Sequence, residues 1–587
     1  MITNNSFTFR IANESLSLKF WASFAAISIA ISWLLPNHHY PWLAFHSDAW
    51  MGVCLMAIVL CSETSKFKAI SVTRAALILF LLSLAPIAQW LFGVMPTMGQ
   101  AIVSSLYISA GAVAYCMAYN MQKHHGDLAL NVLFGACSIA SVLSVAIQLI
   151  QWLAPIEEDM SGLGLWLHPQ SVDSRPSANL GQPNLLATLL MWGILSGLWL
   201  RTQVDVNRGT WFLYSIYLSI GLALTQSRIG LIEILGVAGI LIIKMRKSHP
   251  LLVKDFCALT VCTFLLFFLI SWFSELLHLS FEGRAIDSLV MHSNRTDAYQ
   301  IFLHAIVQKP WTGFGITHLS EPQWVASGIL PSLNTHFIHA HNLPLELIAW
   351  LGIPLGTLVV ISLCYWLITR LLQSLTDKQT ILYSAITIVS LHSMVELPYQ
   401  YAFIIIPVCW FAGGLDALQL QFSYSISRIS RVLVAIGLST LFALVIYDYF
   451  QFEEPYQQLR FNQGKIGRNI PVETPNLLVL DQFEDLMRLN TFVPKTGLAE
   501  TDIAWMERAV RASPSHISIY NYAVTLALNE QPDKAQLWMS RFNTVTMGYE
   551  QRIAASLWKD VQAKHPKLAP LEWPKTSASD KMSRHIN

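Results

Sequence analysis

Residues 334–356 read NTHFIHAHNLPLELIAWLGIPLG, a cluster of three histidines followed at once by a long apolar run. The histidines are His336, His339 and His341, and similar apolar runs make up most of the chain. Imidazole is the side chain best suited to proton transfer near neutral pH. Histidines placed where a membrane-spanning segment begins therefore predict chemistry at the boundary between lipid and water.

The remaining sequence has the composition of a polytopic membrane protein. Of its 587 residues, 54% are hydrophobic and 12% are charged, and the mean hydropathy is +0.46. Soluble domains carry about 25% charged residues. The net charge of +1 gives no reason to expect nucleic acid as a partner. We predict an all-α protein with about thirteen transmembrane helices of roughly 20 residues: 18–36, 43–62, 75–94, 101–119, 128–152, 183–200, 211–226, 229–245, 254–275, 344–369, 380–395, 400–417 and 431–449.

Lysine and arginine concentrate in every second loop between these predicted spans, as is typical of cytoplasmic loops. The N-terminus is therefore predicted inside and the C-terminus outside, and the long loops at about 153–182 and 276–343 lie on the outer face. We expect a transmembrane domain over 1–449, an outer helical domain over 450–574 and a disordered tail over 575–587. Spacings in residues 501–545 are like those of a tetratricopeptide unit, with an ordinary small helical domain as the alternative.

Four arginines on the predicted outer face run against the positive-inside bias. Arg175, Arg284 and Arg295 fall in the long loops, and Arg228 falls in the short turn TQSRIG. A guanidinium binds phosphate oxygens in a fork geometry and keeps its charge at any relevant pH. As a set, they predict an anionic ligand at this face. For any one of them, a salt bridge or a headgroup contact is the alternative.

Further motifs stand on the same face. They are RPSANLGQPN (175–184), GFGITH (313–318), HAHNLPLE (339–346) and HSMVELPYQY (392–401). Over roughly residues 160–417 the set resembles the Wzy/WaaL superfamily of O-antigen polymerases and ligases. It resembles more closely the PglL-type protein O-oligosaccharyltransferase branch, of which RPSANLGQPN is characteristic. One departure is Asn294 before Arg295, where relatives often have Gly-Arg.

The resemblance implies a glycosyltransferase of the bacterial inner membrane with its active site on the periplasmic face. Its donor would be an oligosaccharide on undecaprenyl diphosphate, passed en bloc and with inversion to Ser or Thr hydroxyls of periplasmic or pilin-like proteins. Arginines would stabilise the charge that develops on the leaving diphosphate, and a histidine would take the acceptor proton. No group of ligand-type side chains has convincing metal spacing, so we expect neither a metal nor a cofactor.

Within this resemblance, His341 is the expected base, because Asn342, Leu345 and Glu346 complete the family motif around it. Arg228 and Arg295 are the expected catalytic arginines. Donor binding is expected from Arg175, Asn179, Gln182, Asn184, Arg284, His339, Glu346 and Glu396.

Three of these roles have open alternatives. Glu346 either orients the base or pairs with an arginine. Glu396 either contacts a donor sugar or holds an arginine. Gln182 either binds a sugar hydroxyl or satisfies a helix end.

Two other functions stay open from the sequence. The first is an O-antigen ligase or polymerase with a sugar acceptor, against which RPSANLGQPN argues. The second is a transporter, which would place ionisable groups at mid-membrane and repeat its two halves. Glu233 is the clearest such group within a predicted span, whereas most charges gather on the outer face, which favours the enzyme.

Overall fold

The structure is a computed structural model, and it describes residues 5–64, 70–153, 166–169, 174–277, 279, 295–326, 336–419 and 424–574. It is all-helical, with 76% helix and 1% strand, as predicted. The helices are α1 (Asn5–Leu34), α2 (Phe45–Thr64), α3 (Arg74–Leu82), α4 (Ala85–Leu91), α5 (Met98–His125), α6 (Leu128–Leu153), α7 (Pro183–Gln203), α8 (Arg208–Leu224), α9 (Arg228–Met245), α10 (Pro250–Leu276), α11 (Arg295–Gln308), α12 (Pro322–Ala326), α13 (Leu343–Leu372), α14 (Asp377–His392), α15 (Ala402–Ala417), α16 (Arg428–Gln463), α17 (Asp481–Thr491), α18 (Glu500–Ala512), α19 (His516–Leu528), α20 (Pro532–Val545) and α21 (Gly548–Lys564).

Every predicted span falls on a helix, and the third falls on the consecutive pair α3 and α4. Among the described residues, 8 helical segments are long and apolar enough to cross a membrane, and two shorter apolar helices cover Leu18–Leu34 and Phe45–Cys61. The helices α8 and α14 are only 17 and 16 residues long. The chain is thus a multi-pass membrane protein, while the count of thirteen spans and the orientation stay predictions.

Two short strands, β1 (Ile70–Val72) and β2 (Tyr424–Ile426), are a feature that the sequence analysis did not predict. They pair antiparallel, with Ser71 opposite Ser425. The side chain of Asn120 holds β1 from the other side, because it accepts from the backbone N–H of Ser71 and donates to its carbonyl. This ribbon satisfies backbone groups that a loop would otherwise leave to solvent.

The chain forms two compact units that alternate along the sequence. The first comprises Met1–Phe80, Tyr107–Met291 and Cys364–Ser439, and the second comprises Leu81–Leu106, His292–Leu363 and Thr440–Asn587. The predicted division at residue 449 rests on composition and stays a prediction.

The first unit is built around α7, whose central side chains are almost all buried. This helix contacts α6, α8, α9 and α14. Gly193 permits a close approach of α7 to α6, because a Cβ there would stand 2.4 Å from the Ser141 hydroxyl oxygen. Small residues at such contacts let membrane helices pack tightly. The residue Pro183 begins α7 at a position where its missing N–H is no loss.

The second unit contains a kink in α13 and the tail helices α17–α21. Gly352 interrupts α13 with φ of 79°. The backbone N–H groups of Phe314 and Gly315 donate to Ala349 and Trp350, and the N–H of Ile353 donates to Pro310. The GFGITH loop therefore satisfies backbone groups that the broken helix leaves unpaired.

The tail helices have their own core of tryptophan, tyrosine and small aliphatic side chains, which includes Trp538 and Tyr522. Short connections link α18, α19, α20 and α21, and Ser515 caps the start of α19 in a capping box with Ser518. Trp324 of α12 also belongs to this core. The tail is therefore a packed helical assembly, whereas its likeness to tetratricopeptide repeats stays a prediction.

Candidate functional site

In the first unit, two buried glutamines of α6 fix the backbone of the RPSANLGQPN segment. The side-chain amide of Gln148 donates to the carbonyls of Pro176 and Gly221, both at 3.1 Å. Gln151 accepts from the N–H of Ala178 and donates to its carbonyl. Ala178 itself has φ of 50°, in the left-handed region that non-glycine residues seldom adopt. Buried amides that bond backbone on both sides hold this strained conformation in place.

Asn179 is fully used in holding the same segment. Its side chain donates to the carbonyls of Leu34 and Trp166 and accepts from the N–H of His168. The ring of His38 lies 2.7 Å from the Asn179 carbonyl and 4.7 Å, edge to face, from the ring of His168. Burial lowers the pKa of His168 to about 4, so it is neutral at physiological pH. These contacts favour a structural role for Asn179, and its predicted donor contact is untested.

The loop brings Arg175 to the turn that carries Arg228. The guanidinium of Arg175 donates to the carbonyls of Thr225 and Gln226 at 3.4 and 3.3 Å. Gln226 has φ of 46°, and Ser227 caps α9 by accepting from the N–H of Gly230. Arg228 is then the first residue of α9. Two arginines predicted from different parts of the sequence therefore belong to one local cluster.

A chain of side-chain hydrogen bonds links three of the predicted motifs. The hydroxyl of Ser227 donates to Asn184 at 2.8 Å, and the amide of Asn184 donates to Glu396 at 3.2 Å. Glu396 is 8% exposed, so its carboxylate requires such donors. The TQSRIG turn, the start of α7 and the HSMVELP segment thus meet at one place in the first unit. The residue Gln182 precedes α7 here, and among the described residues its shielded Oε1 has no hydrogen-bond partner.

One helical turn from Asn184 and Glu396 lies a buried polar triad that the sequence analysis did not assign. The hydroxyl of Thr188 donates to Glu233 at 2.6 Å and lies 2.8 Å from Nδ1 of His392. All three side chains are completely buried. The available signal was the spacing of four residues from Asn184 to Thr188, which puts both side chains on one face of α7.

In the second unit, Glu346 organises the histidine segment. Its Oε1 accepts from the N–H of Ala340 at 2.9 Å and lies 3.4 Å from Nδ1 of His339. Glu346 is fully buried. Asn342 precedes α13, and its side chain accepts from the N–H of Leu345. The geometry therefore favours a role for Glu346 in orienting the base over pairing with an arginine.

His341 stands between these two fixed points with φ of 51°. A left-handed conformation costs a residue with a Cβ roughly 1–2 kcal/mol. Strain of this kind persists only where surrounding contacts impose it, and it concentrates at functional sites. In the described chain, Ala178, Gln226 and His341 all have positive φ and all lie within or beside predicted site motifs.

The short helix α12 connects the histidine segment with the tail. The side chain of Gln323 accepts from the N–H of Phe337 at 2.8 Å. It also donates, at 3.0 Å, to the carbonyl of Thr544 in the last turn of α20. The ring of Trp324 stacks on His336 at 6.0 Å. Neither Gln323 nor Trp324 was predicted from the sequence, because α12 is too short to show a periodic pattern.

Beside α12, the buried carboxylate of Glu321 gathers three basic side chains. Lys309 lies at 2.9 Å, His318 at 3.7 Å, and Arg511 of α18 forms a direct ion pair. Burial alone would raise the pKa of Glu321, but the nearby His318 and the charges of Arg511 and Lys309 hold it well below its usual range. Glu321 is therefore ionised and ties the loop to the tail.

The remaining predictions are placed as follows. Arg295 begins α11 in the second unit, whereas Arg284 and Asn294 lie outside the described residues. The ring of His336 stacks on Trp324 and lies 3.1 Å from the carbonyl of Ser320, and these contacts favour a structural role. Over the described ranges, no three histidine, cysteine or acidic side chains are grouped to hold a metal ion, and metal independence stays a prediction.

Three segments of the chain match models of known protein families. Family models match at residues 176–200 (protein glycosylation ligase), 213–361 (O-antigen ligase) and 380–559 (virulence factor membrane-bound polymerase, C-terminal). The predicted resemblance to the PglL-type branch of the Wzy/WaaL superfamily is confirmed. The chain is accordingly an enzyme of the glycosyltransferase type. The protein glycosylation ligase match covers most of the RPSANLGQPN segment and of α7. The buried side chains of Gln148 and Gln151 hold the backbone of that segment.

Two curated relatives come from Acinetobacter baylyi (strain ATCC 33305 / BD413 / ADP1). A general O-oligosaccharyltransferase is 26% identical over 542 residues, which cover 88% of this chain and 91% of the relative. A ComP-specific O-oligosaccharyltransferase is 26% identical over 326 residues, which cover 54% of this chain and 57% of that relative. The first alignment therefore includes residues of both compact units.

Proposed function

We propose that this protein transfers an oligosaccharide en bloc from undecaprenyl diphosphate to a Ser or Thr hydroxyl of a protein at the periplasmic face of the inner membrane. The observation that carries the proposal is the alignment with a general O-oligosaccharyltransferase across 91% of that relative. The match of residues 176–200 to a protein glycosylation ligase model supports a protein as the acceptor.

His341 is the proposed general base. The acceptor oxygen attacks the anomeric carbon of the first sugar while its proton passes to the imidazole. Glu346 supports this step by fixing the ring of His339 and the backbone of Ala340, the two residues that directly precede His341. A base held in one conformation before substrate binds needs little rearrangement in the transition state.

The arginines are proposed to stabilise the leaving diphosphate. As the bond between the anomeric carbon and the phosphate oxygen breaks, negative charge grows on that oxygen, and fixed guanidinium groups lower its energy. Arg175 and the turn carrying Arg228 form such a group in the first unit. Arg295, which begins α11, is the third arginine proposed to act on the diphosphate. Attack opposite the diphosphate inverts the anomeric centre, and no step requires a metal.

The donor-binding set is proposed around Asn184 and Glu396. Their hydrogen-bonded carboxylate and amide match the hydroxyl-rich surface of a sugar, which offers both donors and acceptors. The Oε1 of Gln182 is a further acceptor at the same helix start. His339, Glu346 and Arg284 complete the set expected from the resemblance.

The alternative within the superfamily is a ligase or polymerase with a sugar acceptor. The match of residues 213–361 to the O-antigen ligase model supports this alternative. The experiment that separates the two is expression in a bacterial host that makes a lipid-linked glycan and contains both a pilin-like protein and lipopolysaccharide core. We expect the glycan on the protein. Glycan on the core alone would contradict the proposal, and glycan on neither acceptor would also contradict it, provided that the enzyme is present in the membrane.

A further inference from the structure

A cavity of about 130 Å³ lies within the second unit, beside α12 and the tail helices α18 and α20. An engineered cavity of about 150 Å³ is known to hold one benzene molecule. The space therefore suits the end of one amino-acid side chain. The cavity is lined by Glu321, Trp324, Val325, Glu507, Arg511 and Arg541.

Arg541 is the lining residue that can bind an anionic ligand in this cavity. Its guanidinium lies over the rings of Trp324 and Trp538, with the central carbon 5.5 and 4.5 Å from the ring centres. Among the described residues it forms no ion pair, and its Nε is buried without a hydrogen-bond partner. Burial also lowers the pKa of this arginine. Aromatic rings fix the plane of the guanidinium and leave its edge, which carries the N–H donors, available to a ligand.

The two carboxylates of the lining do not satisfy Arg541. Glu321 uses both of its oxygens, one toward Arg511 and the other toward Lys309. Glu507 is exposed and accepts from the hydroxyl of Tyr522 at 3.4 Å. Both carboxylates attract the charge of Arg541, but among the described residues neither forms an ion pair or a hydrogen bond with its guanidinium, so its N–H donors are open to a further carboxylate.

We infer that this cavity binds a carboxylate of the acceptor polypeptide, carried by an acidic side chain that accompanies the glycosylated residue. The inference rests on the proposed transfer to protein and deepens it, because it assigns a recognition site for the acceptor. A planar guanidinium pairs with a carboxylate through two parallel hydrogen bonds. The cavity volume admits an aspartate or glutamate end group together with its stem.

The cavity is joined to the histidine segment by Trp324, which lines it and stacks on His336. The neighbouring Gln323 bonds the N–H of Phe337 and the carbonyl of Thr544 at once. A carboxylate bound at Arg541 therefore lies against the same short helix that holds residues 336–337. An acceptor anchored there is tethered in the same unit as His341, which favours hydroxyls that lie a few residues from the acidic side chain.

The test measures binding of short fluorescent peptides to the purified full-length protein in nanodiscs, without donor, by anisotropy. The first peptide contains serine, alanine and one aspartate and has an amidated C-terminus. The second has asparagine in place of aspartate. The third lacks both and ends in a free carboxylate, so that it reports binding of a chain terminus.

We expect the aspartate peptide to bind about tenfold more tightly than the asparagine peptide. Arg541→Gln should abolish this preference, and Arg541→Lys should weaken it, because lysine lacks the fork. The control Arg552→Gln removes an exposed arginine of α21 and should keep the preference. Val325→Phe leaves Arg541 in place but fills the cavity, and it should also abolish the preference.

Equal binding of all three peptides by the folded wild-type protein would overturn the inference, as would an aspartate preference that survives both Arg541→Gln and Val325→Phe. An Arg541-dependent preference for the third peptide alone would also overturn it, because the carboxylate would then be a chain terminus. Because binding is measured without donor, it is independent of transfer. Protein glycosylation with no Arg541-dependent binding refutes only the site, whereas Arg541-dependent binding with no protein glycosylation refutes the proposed function.

Discussion

Replacing Glu346 with alanine should slow transfer without unfolding the protein. The carboxylate holds the N–H of Ala340 at 2.9 Å, next to the strained backbone of His341. A hydrogen bond to a charged group contributes about 1.5–3 kcal/mol, and the left-handed conformation costs roughly 1–2 kcal/mol. The bond therefore offsets the strain, and its loss disfavours the strained conformer by about 1–2 kcal/mol, a factor of about 5–30.

The assay is the rate of glycan transfer from purified lipid-linked oligosaccharide to an acceptor protein, with kcat and KM for the acceptor determined separately. We expect kcat of Glu346→Ala to fall about 5- to 30-fold. Glu346→Gln keeps a neutral acceptor for the same N–H, worth about 1 kcal/mol, so its kcat should lie between those of the wild type and the alanine variant.

The matched control is Glu484→Ala in the tail, where a carboxylate likewise accepts a backbone N–H, that of Leu477, at 3.1 Å. It should keep the wild-type kcat. A folded Glu346→Ala variant with kcat within twofold of wild type would refute the reasoning, because the histidine backbone would then not depend on this bond. Equal losses in both variants would refute it too, since they would report general destabilisation.

Three further predictions concern other parts of the structure. Arg→Lys substitution keeps the charge but loses the fork, so each such variant of Arg175, Arg228 and Arg295 should transfer at least about fivefold more slowly than wild type; three variants of wild-type rate would reject bidentate recognition of the diphosphate. Thr188→Val leaves its two buried partners without their shared hydroxyl and should lower the free energy of unfolding by about 2 kcal/mol or more in thermal denaturation. The control Thr202→Val removes a half-buried hydroxyl that donates to the carbonyl of Trp199 at 2.7 Å and accepts from the Gln203 side chain at 3.4 Å, and it should cost about 1 kcal/mol or less. EDTA should leave transfer by the purified enzyme unchanged, and inhibition reversed by a divalent cation would contradict metal independence.

The sequence predicted where the helices lie because apolar runs of near-membrane length are a local property. It did not predict the break between α3 and α4 or the kink at Gly352, since both depend on distant partners. The side chain of Gln89, in α4, donates to the carbonyl of Trp350 and accepts from the N–H of Ile316. Such contacts make a broken helix stable, and no periodicity reveals them.

The candidate site shows the same division between local and distant information. Arg175, Arg228 and Glu396 were predicted from separate motifs, and the structure places them in one unit with Asn184 between the motifs. The buried contact of Thr188 with Glu233 was not predicted, because it joins side chains from different helices. Likewise, the role of Gln323 depends on a backbone carbonyl in the tail, more than two hundred residues away.

The central claim is transfer of a lipid-linked glycan to protein with His341 as the base. The most direct measurement is mass spectrometry of periplasmic proteins from cells that carry the wild-type gene, no gene, or the His341→Ala variant at equal membrane abundance. We predict glycopeptides modified at Ser or Thr only with the wild type. Unchanged glycopeptides in the cells without the gene would contradict the proposed activity, and wild-type levels with His341→Ala would contradict the assignment of the base.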